Sequence, residues 1–144
     1  NWTYEFSGEG NTMSFEQYSS VADMSATDGK LNATFGEGTN YIATPDAIKL
    51  DAREGKILKL RLKNESSATK IKLSFIKDSD INYDDDKSLT FDITAGDSDF
   101  KEYVVDLSEC SEWKSFVRQL RFEFVGATSG SVQIESVIVL PEEV

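Results

Sequence analysis

The stretch KDSDINYDDDKS, residues 77 to 88, gathers five carboxylates, Asp78, Asp80, Asp84, Asp85 and Asp86, around the amide of Asn82. Hard oxygen donors at that density are what a calcium ion takes. Laid on the twelve-residue calcium loop, DSDINYDDDKSL supplies oxygens at its first, third and fifth places. It fails where the geometry is strictest, because Tyr83 falls where the sharp turn needs glycine and Leu89 where a bidentate glutamate must close the cage. The stretch therefore reads as a solvated hairpin tip kept soluble by its charges, with a local ion contact and a sugar contact through Tyr83 as the alternatives.

Other chemistry is narrowly bounded. The chain has no histidine and a single cysteine, Cys110. An internal disulfide is excluded, as are the usual zinc, copper and haem sites and the His-based catalytic triads. Catalysis would rest on carboxylates, and no pair of them sits in an apolar setting that would raise one pKa. With 26 acidic against 15 basic side chains the net charge is −11, which disfavours nucleic acid or an anionic membrane as a whole-surface partner. No apolar run is long enough to cross a bilayer as a helix. The chain is expected to be soluble and to begin as a mature or excised segment does. Its 144 residues are expected to form one domain, 1–144, around one core.

The elements that must carry any site are strands. In ILKLRLKNE (57–65) Leu58, Leu60 and Leu62 fall on one face and Lys59, Arg61 and Lys63 on the other, the two-residue alternation of a half-buried strand. KIKLSFIK (70–77) repeats the pattern after a turn made from NESSAT, and SLTFDIT (88–94), EYVVDL (102–107), QLRFEFV (119–125) and SVQIESVIVL (131–140) follow it. Weaker segments precede them at 3–7, 31–36, 40–44 and 47–52. Only SECSEWKSFVRQ (108–119) suggests a helical turn, with Ser108 or Ser111 as its N-cap. The pattern predicts an all-β fold, a two-sheet antiparallel β-sandwich of jelly-roll type.

By alternation Lys59, Arg61, Lys63, Lys70, Lys72 and Arg121 all point outward, a concentration of positive charge in an acidic chain. Cross-strand pairing with Asp92 and Glu123, together with edge protection by lysine, is one explanation. The other is a ligand platform, where Lys and Arg donate to hydroxyls or to uronate carboxylates. A sugar's apolar face also needs a flat ring to pack on. Phe75, Phe91, Phe122, Phe124 and Tyr103 alternate inward, which leaves Phe15, Tyr18, Tyr41 and Tyr83 in or beside loops; Tyr83 and Tyr41 rank first.

The order of LDAREGKILKLRLKN (50–64), DDDKSLTFDIT (84–94), FKEYVVDLSECSEWKSFVRQLRFEF (100–124) and GSVQIESVIV (130–139), behind an aromatic N-terminal strand and DGKL (28–31), resembles the galactose-binding-like jelly rolls appended to bacterial polysaccharide-degrading enzymes, which are carbohydrate-binding modules. The resemblance implies a non-catalytic, secreted module that holds a covalently linked catalytic domain on plant cell-wall polysaccharide. A β-glucan or hemicellulose is expected, with room for an acidic glycan such as pectin. The ligand-binding set is expected to be Tyr83, Tyr41, Lys59, Arg61, Lys72, Arg121, Gln119 and Asp92. Trp113 matches a tryptophan that packs beneath a strand connection in such domains. The resemblance also implies a structural Ca2+ between first and last strands, at Glu5, Asp28 and Glu135. The competing expectation is a structural or protein-interaction sandwich with no sugar ligand.

Overall fold

The computed structural model describes residues 2–5, 16–27, 29–44, 46 and 48–141, with the backbone path alone for 2–5, 16–22 and 27. Ten strands follow in chain order: β1 (Trp2–Glu5), β2 (Glu16–Thr27), β3 (Lys30–Ala43), β4 (Leu50–Asp51), β5 (Ile57–Asn64), β6 (Lys70–Lys77), β7 (Ser88–Asp92), β8 (Lys101–Asp106), β9 (Phe116–Phe124) and β10 (Ser131–Leu140). Every pairing is antiparallel. The all-β jelly-roll expectation holds.

The hydrogen-bonded path runs β7-β6-β9-β3-β10-β5-β8, and β3 is where it folds over on itself. The first half of β3 pairs with β10, through Leu31↔Ile134 to Thr34↔Ser131. Its second half pairs with β9, through Tyr41↔Glu123 to Ala43↔Arg121. One layer is thus β7-β6-β9-β3 and the other β8-β5-β10-β3, with β2 following β3 through both. The two ends of the path meet across the interior, where the rings of Phe91 on β7 and Tyr103 on β8 lie 6.4 Å apart. The Tyr103 hydroxyl also accepts from Thr94 N–H at 2.9 Å.

Alternation fills the space between the layers. Leu58, Leu60 and Leu62 from one layer and Ile71, Leu73, Phe75, Phe122 and Phe124 from the other are fully or almost fully buried in one continuous core. Trp113 belongs to it as expected: its ring meets Phe75 edge-on at 5.0 Å and its Nε1–H donates to Gly55 O at 2.8 Å. Gly55 has to be glycine, because a Cβ there would stand 2.7 Å from Val139 Cγ1.

Three expectations change. The helical turn is a short 3-10 turn, Leu107–Glu109, capped by Asp106 and not by Ser108 or Ser111; the Asp106 carboxylate accepts from Ser108 N–H at 3.0 Å. The helix cannot continue, since Trp113 is drawn into the core and Ser115 takes a left-handed φ of 66° before β9 begins. Segments 31–36 and 40–44 are one strand. Of 47–52 only Leu50–Asp51 pairs, with Val117 and Phe116.

Asn40 holds the crossing of β3. Fully buried, it accepts from Gly36 N–H at 3.1 Å and donates through Nδ2 to Gly36 O at 2.8 Å and Ala127 O at 2.8 Å. Asn40→Ala leaves the buried Ala127 O without its donor and opens the clamp on Gly36, and is expected to cost about 1–3 kcal/mol, read as a lower urea midpoint at unchanged slope. An unchanged midpoint would show that the bend is held by other means.

Candidate functional site

On the outer face of the β7-β6-β9-β3 layer the register sets Thr90, Lys72, Glu123 and Tyr41 side by side, one from each strand. The neighbouring row holds Ser88, Ser74, Arg121 and Ala43. Ser74 and Ala43 are small, so the long Arg121 side chain lies in a trough between them. Both are buried, at 2% and 0%, although they alternate with core side chains.

Tyr83 comes from the β6–β7 loop and folds onto this trough. The Arg121 guanidinium carbon stands 4.0 Å from the Tyr83 ring centroid and 4.5 Å from that of Tyr41. The Tyr83 hydroxyl donates to Gln119 Oε1 at 2.8 Å, and Gln119 Nε2 donates to Thr44 O at 2.9 Å. Tyr41, Tyr83, Arg121 and Gln119 are therefore one cluster, which alternation alone could not place on a common surface. A stacked guanidinium is held by about 0.5–1 kcal/mol per exposed ring, more where water is excluded.

Arg121 donates no hydrogen bond and forms no ion pair among the described residues, and its Nε is sealed from solvent without an acceptor. The other cations of this face are engaged: Lys72 meets Asp85 at 2.6 Å and Lys70 meets Asp92 at 2.5 Å. Asp92 is thus an ion-pair partner at the edge of the face. Glu123, between Lys72 and Tyr41, is a neighbour that the sequence suggested only as a pairing acid. Ile81, 88% exposed at the loop tip, was not anticipated; an isoleucine amid DSDINYDDD was the available signal.

The remaining expected residues lie elsewhere. Lys59 and Arg61 alternate outward as expected, yet on β5, in the opposite layer. The six outward cations are therefore split between two faces and form no common platform. The Glu5 side chain and Asp28 lie outside the described residues, as do the side chains of Phe15 and Tyr18, although the backbone pairs Tyr18 with Tyr41. Glu135 Oε1 accepts from Arg61 Nε at 2.8 Å. Among the described residues no cluster of three or more acids, His or Cys could hold a metal.

The acidic loop is pinned from within. Asp80 accepts from Lys77 N–H at 2.8 Å and from the Lys87 ammonium at 3.0 Å, and Arg118 donates to Asp80 O at 2.8 Å. Burial pushes the Asp80 carboxyl up, but the Lys77 and Lys87 hydrogen bonds outweigh it and hold it below its ordinary value. Its carboxylates serve the loop's own closure.

No protein-family model matches the sequence, and no curated protein matches it. Solved structures do share its architecture. The xylan-binding module CBM86 of the gut symbiont Roseburia intestinalis superposes with TM-score 0.60 at 12% identity, over 99% of this chain and 97% of that one. A CBM4 structure gives 0.58 at 17% identity, over 97% and 86%. A family 29 carbohydrate-binding module gives 0.54 at 13%, over 95% and 90%. The chain has the fold of a carbohydrate-binding module. In that jelly roll, the clustered tyrosines and arginine occupy an outer sheet face while both edges of the path are turned toward each other.

A depressed Asp80 pKa stabilises the fold above the unfolded value of about 4 and loses that contribution as pH falls through the folded one. Wild type is expected to lose melting temperature more steeply below about pH 4 than Asp80→Asn, the two curves converging at the acid end. Parallel curves across that window would remove Asp80 as the loop's clasp.

Proposed function

We propose that this chain is a non-catalytic, secreted carbohydrate-binding module that holds a linked catalytic domain on a plant cell-wall polysaccharide, and that it binds a β-glucan or hemicellulose strand at the Tyr41–Arg121–Tyr83 face. The observation that carries the proposal is Arg121, stacked against two tyrosine rings on the outer sheet face with no hydrogen bond or ion pair from its guanidinium Nη groups among the described residues. A polysaccharide offers hydroxyl acceptors to a fixed guanidinium, and its apolar C–H faces suit tyrosine rings. Burying ~100 Å² of such a face contributes roughly 2–3 kcal/mol before losses. Gln119, held at both ends of its amide, and Glu123 flank the stack. A neutral strand suits this face because Lys72 and Lys70 already have carboxylate partners. Tethering then raises the local concentration of substrate for a linked enzyme without chemistry by the module itself.

Affinity electrophoresis against β-glucan, xylan and xyloglucan is expected to show retardation, weakened about tenfold or more by Tyr83→Ala and by Arg121→Ala with melting temperatures little changed. Absence of retardation by every polysaccharide would favour the structural or protein-docking alternative, and release of reducing sugar would establish a hydrolase.

Calcium at Glu5, Asp28 and Glu135 is a separate proposal. The fit is strained at Glu135, whose carboxylate is already taken by Arg61, so an ion there has to share it with a guanidinium. A bound ion stabilises by mass action; a chelator is then expected to lower the melting temperature, and an unchanged melt removes the ion.

A further inference from the structure

We infer that the outer face of the β8-β5-β10 layer is a second binding surface, separate from the tyrosine cluster, and that it takes a carboxylate-bearing polysaccharide strand such as a polyuronate. The cations of β5 are the starting point. Lysines often guard the open edges of sheets, but β5 is flanked by β10 along its length and by β8 from Ile57 to Leu62, and beyond that the Asn64 N–H and C=O are taken by Asp97, so little edge is left to guard. Cross-strand charge pairing accounts for one of its three cations. Arg61 stands opposite Glu102 and Ser136 and binds Glu135 at 2.8 Å. Lys59 stands directly opposite Val104 and Ile138, and Lys63 opposite Gln133, so neither faces an acid across a rung; Glu102 and Asp106 are only diagonal neighbours. Neither ammonium forms an ion pair or hydrogen bond among the described residues. In a chain with 26 acids to 15 bases, two unpaired lysines on an interior strand stand out.

The surroundings match a glycan strand. Alternate residues of a strand lie about 6.8 Å apart, so Lys59, Arg61 and Lys63 form a straight row of positive charge along β5. Gln133, beside Lys63, is hydrogen-bonded through Nε2 to Asn32 Oδ1 at 2.8 Å, which leaves amide groups to meet hydroxyls. Phe100 is half-buried at the row's end, with the Arg61 guanidinium 5.8 Å and the Lys30 ammonium 5.7 Å from its ring centroid. Val104, 43% exposed, and Ile138 give an apolar strip at the other end. The cations of this row suit carboxylates; the chain's net −11 opposes any polyanion at long range, so the attraction has to come from this face locally.

Affinity electrophoresis of the whole chain in sodium polygalacturonate tests this surface, with β-glucan as the neutral comparison. Wild type is expected to be retarded by polygalacturonate at low salt and released at about 0.5 M NaCl, where exposed charge pairs are screened. The double variant Lys59→Gln/Lys63→Gln is expected to lose about fivefold or more in polygalacturonate affinity, the scale of two exposed ion contacts, with β-glucan retardation and melting temperature unchanged. Tyr83→Ala is expected to show the reverse. The inference is overturned if wild type is not retarded by polygalacturonate, if the double variant is retarded equally, if Tyr83→Ala alone abolishes the effect, or if single-stranded oligo-dT retards wild type as strongly. Retardation by β-glucan is scored separately, so failure of this surface is distinguishable from failure of the tyrosine cluster.

Discussion

β3 cannot remain straight and pair with both β10 and β9, and the rest of the fold depends on how its bend is satisfied. The tip of the bend, Glu37 to Thr39, reaches solvent, but its base and the neighbouring Ala127 O need partners where water is scarce. Asn40 resolves this with one side chain, accepting from Gly36 and donating to Gly36 and Ala127. Gly38, at φ 109°, supplies the local conformation that a side chain would resist. With the bend fixed, the two halves of β3 seed two layers, and alternation, strict along β5 and broken along β6 and β9 by buried Ser74 and Gln119, brings their apolar faces together.

The same bend determines where the tyrosine cluster forms. Tyr41 lies just past Asn40, on the half of β3 that pairs with β9, and the register of that pairing sets it beside Glu123 and one row from Arg121. Small residues at Ser74 and Ala43 leave the room that a guanidinium needs. The β6–β7 loop completes the arrangement: Asp80 closes it on Lys77 and Lys87, and Asp85 reaches Lys72. The Tyr83–Gln119 hydrogen bond and the ring contacts are the stronger ties, because Asp85 is 94% exposed and its pair with Lys72 is screened.

Legibility in the sequence followed local periodicity. Strands β5 to β10 were legible because each alternates cleanly, and the burial of Leu58, Leu60 and Leu62 at 0% bears that reasoning out. Strand β2 was not legible: EQYSSVADMSAT has no apolar alternation, and its place is set by pairing along β3. The Gly36, Gly38 and Asn40 cluster looked like a turn between strands, whereas buried hydrogen bonds make it a bend within one. Tyr83 and Tyr41 could be ranked as exposed rings, but their meeting over Arg121 is a long-range contact that no local pattern encodes. Alternation also reports only in or out, so six outward cations looked like one platform; which layer each strand joins is decided by topology.

That division has an electrostatic consequence. On the β9 face, lysines are matched with Asp85 and Asp92, so the remaining donor is the stacked Arg121, whose strength lies in orientation more than in net charge. On the β5 face, Lys59 and Lys63 are half-buried along their stems and form no ion pair among the described residues, so they attract at longer range but fix no geometry. Of the two proposed surfaces, the first suits a ligand that needs shaped hydrogen bonds and the second one that needs counter-charge. Because the two faces point away from each other across a shared core, occupancy of one neither blocks nor requires the other, and each can be altered while Leu58, Leu60 and Leu62 continue to hold the layers together.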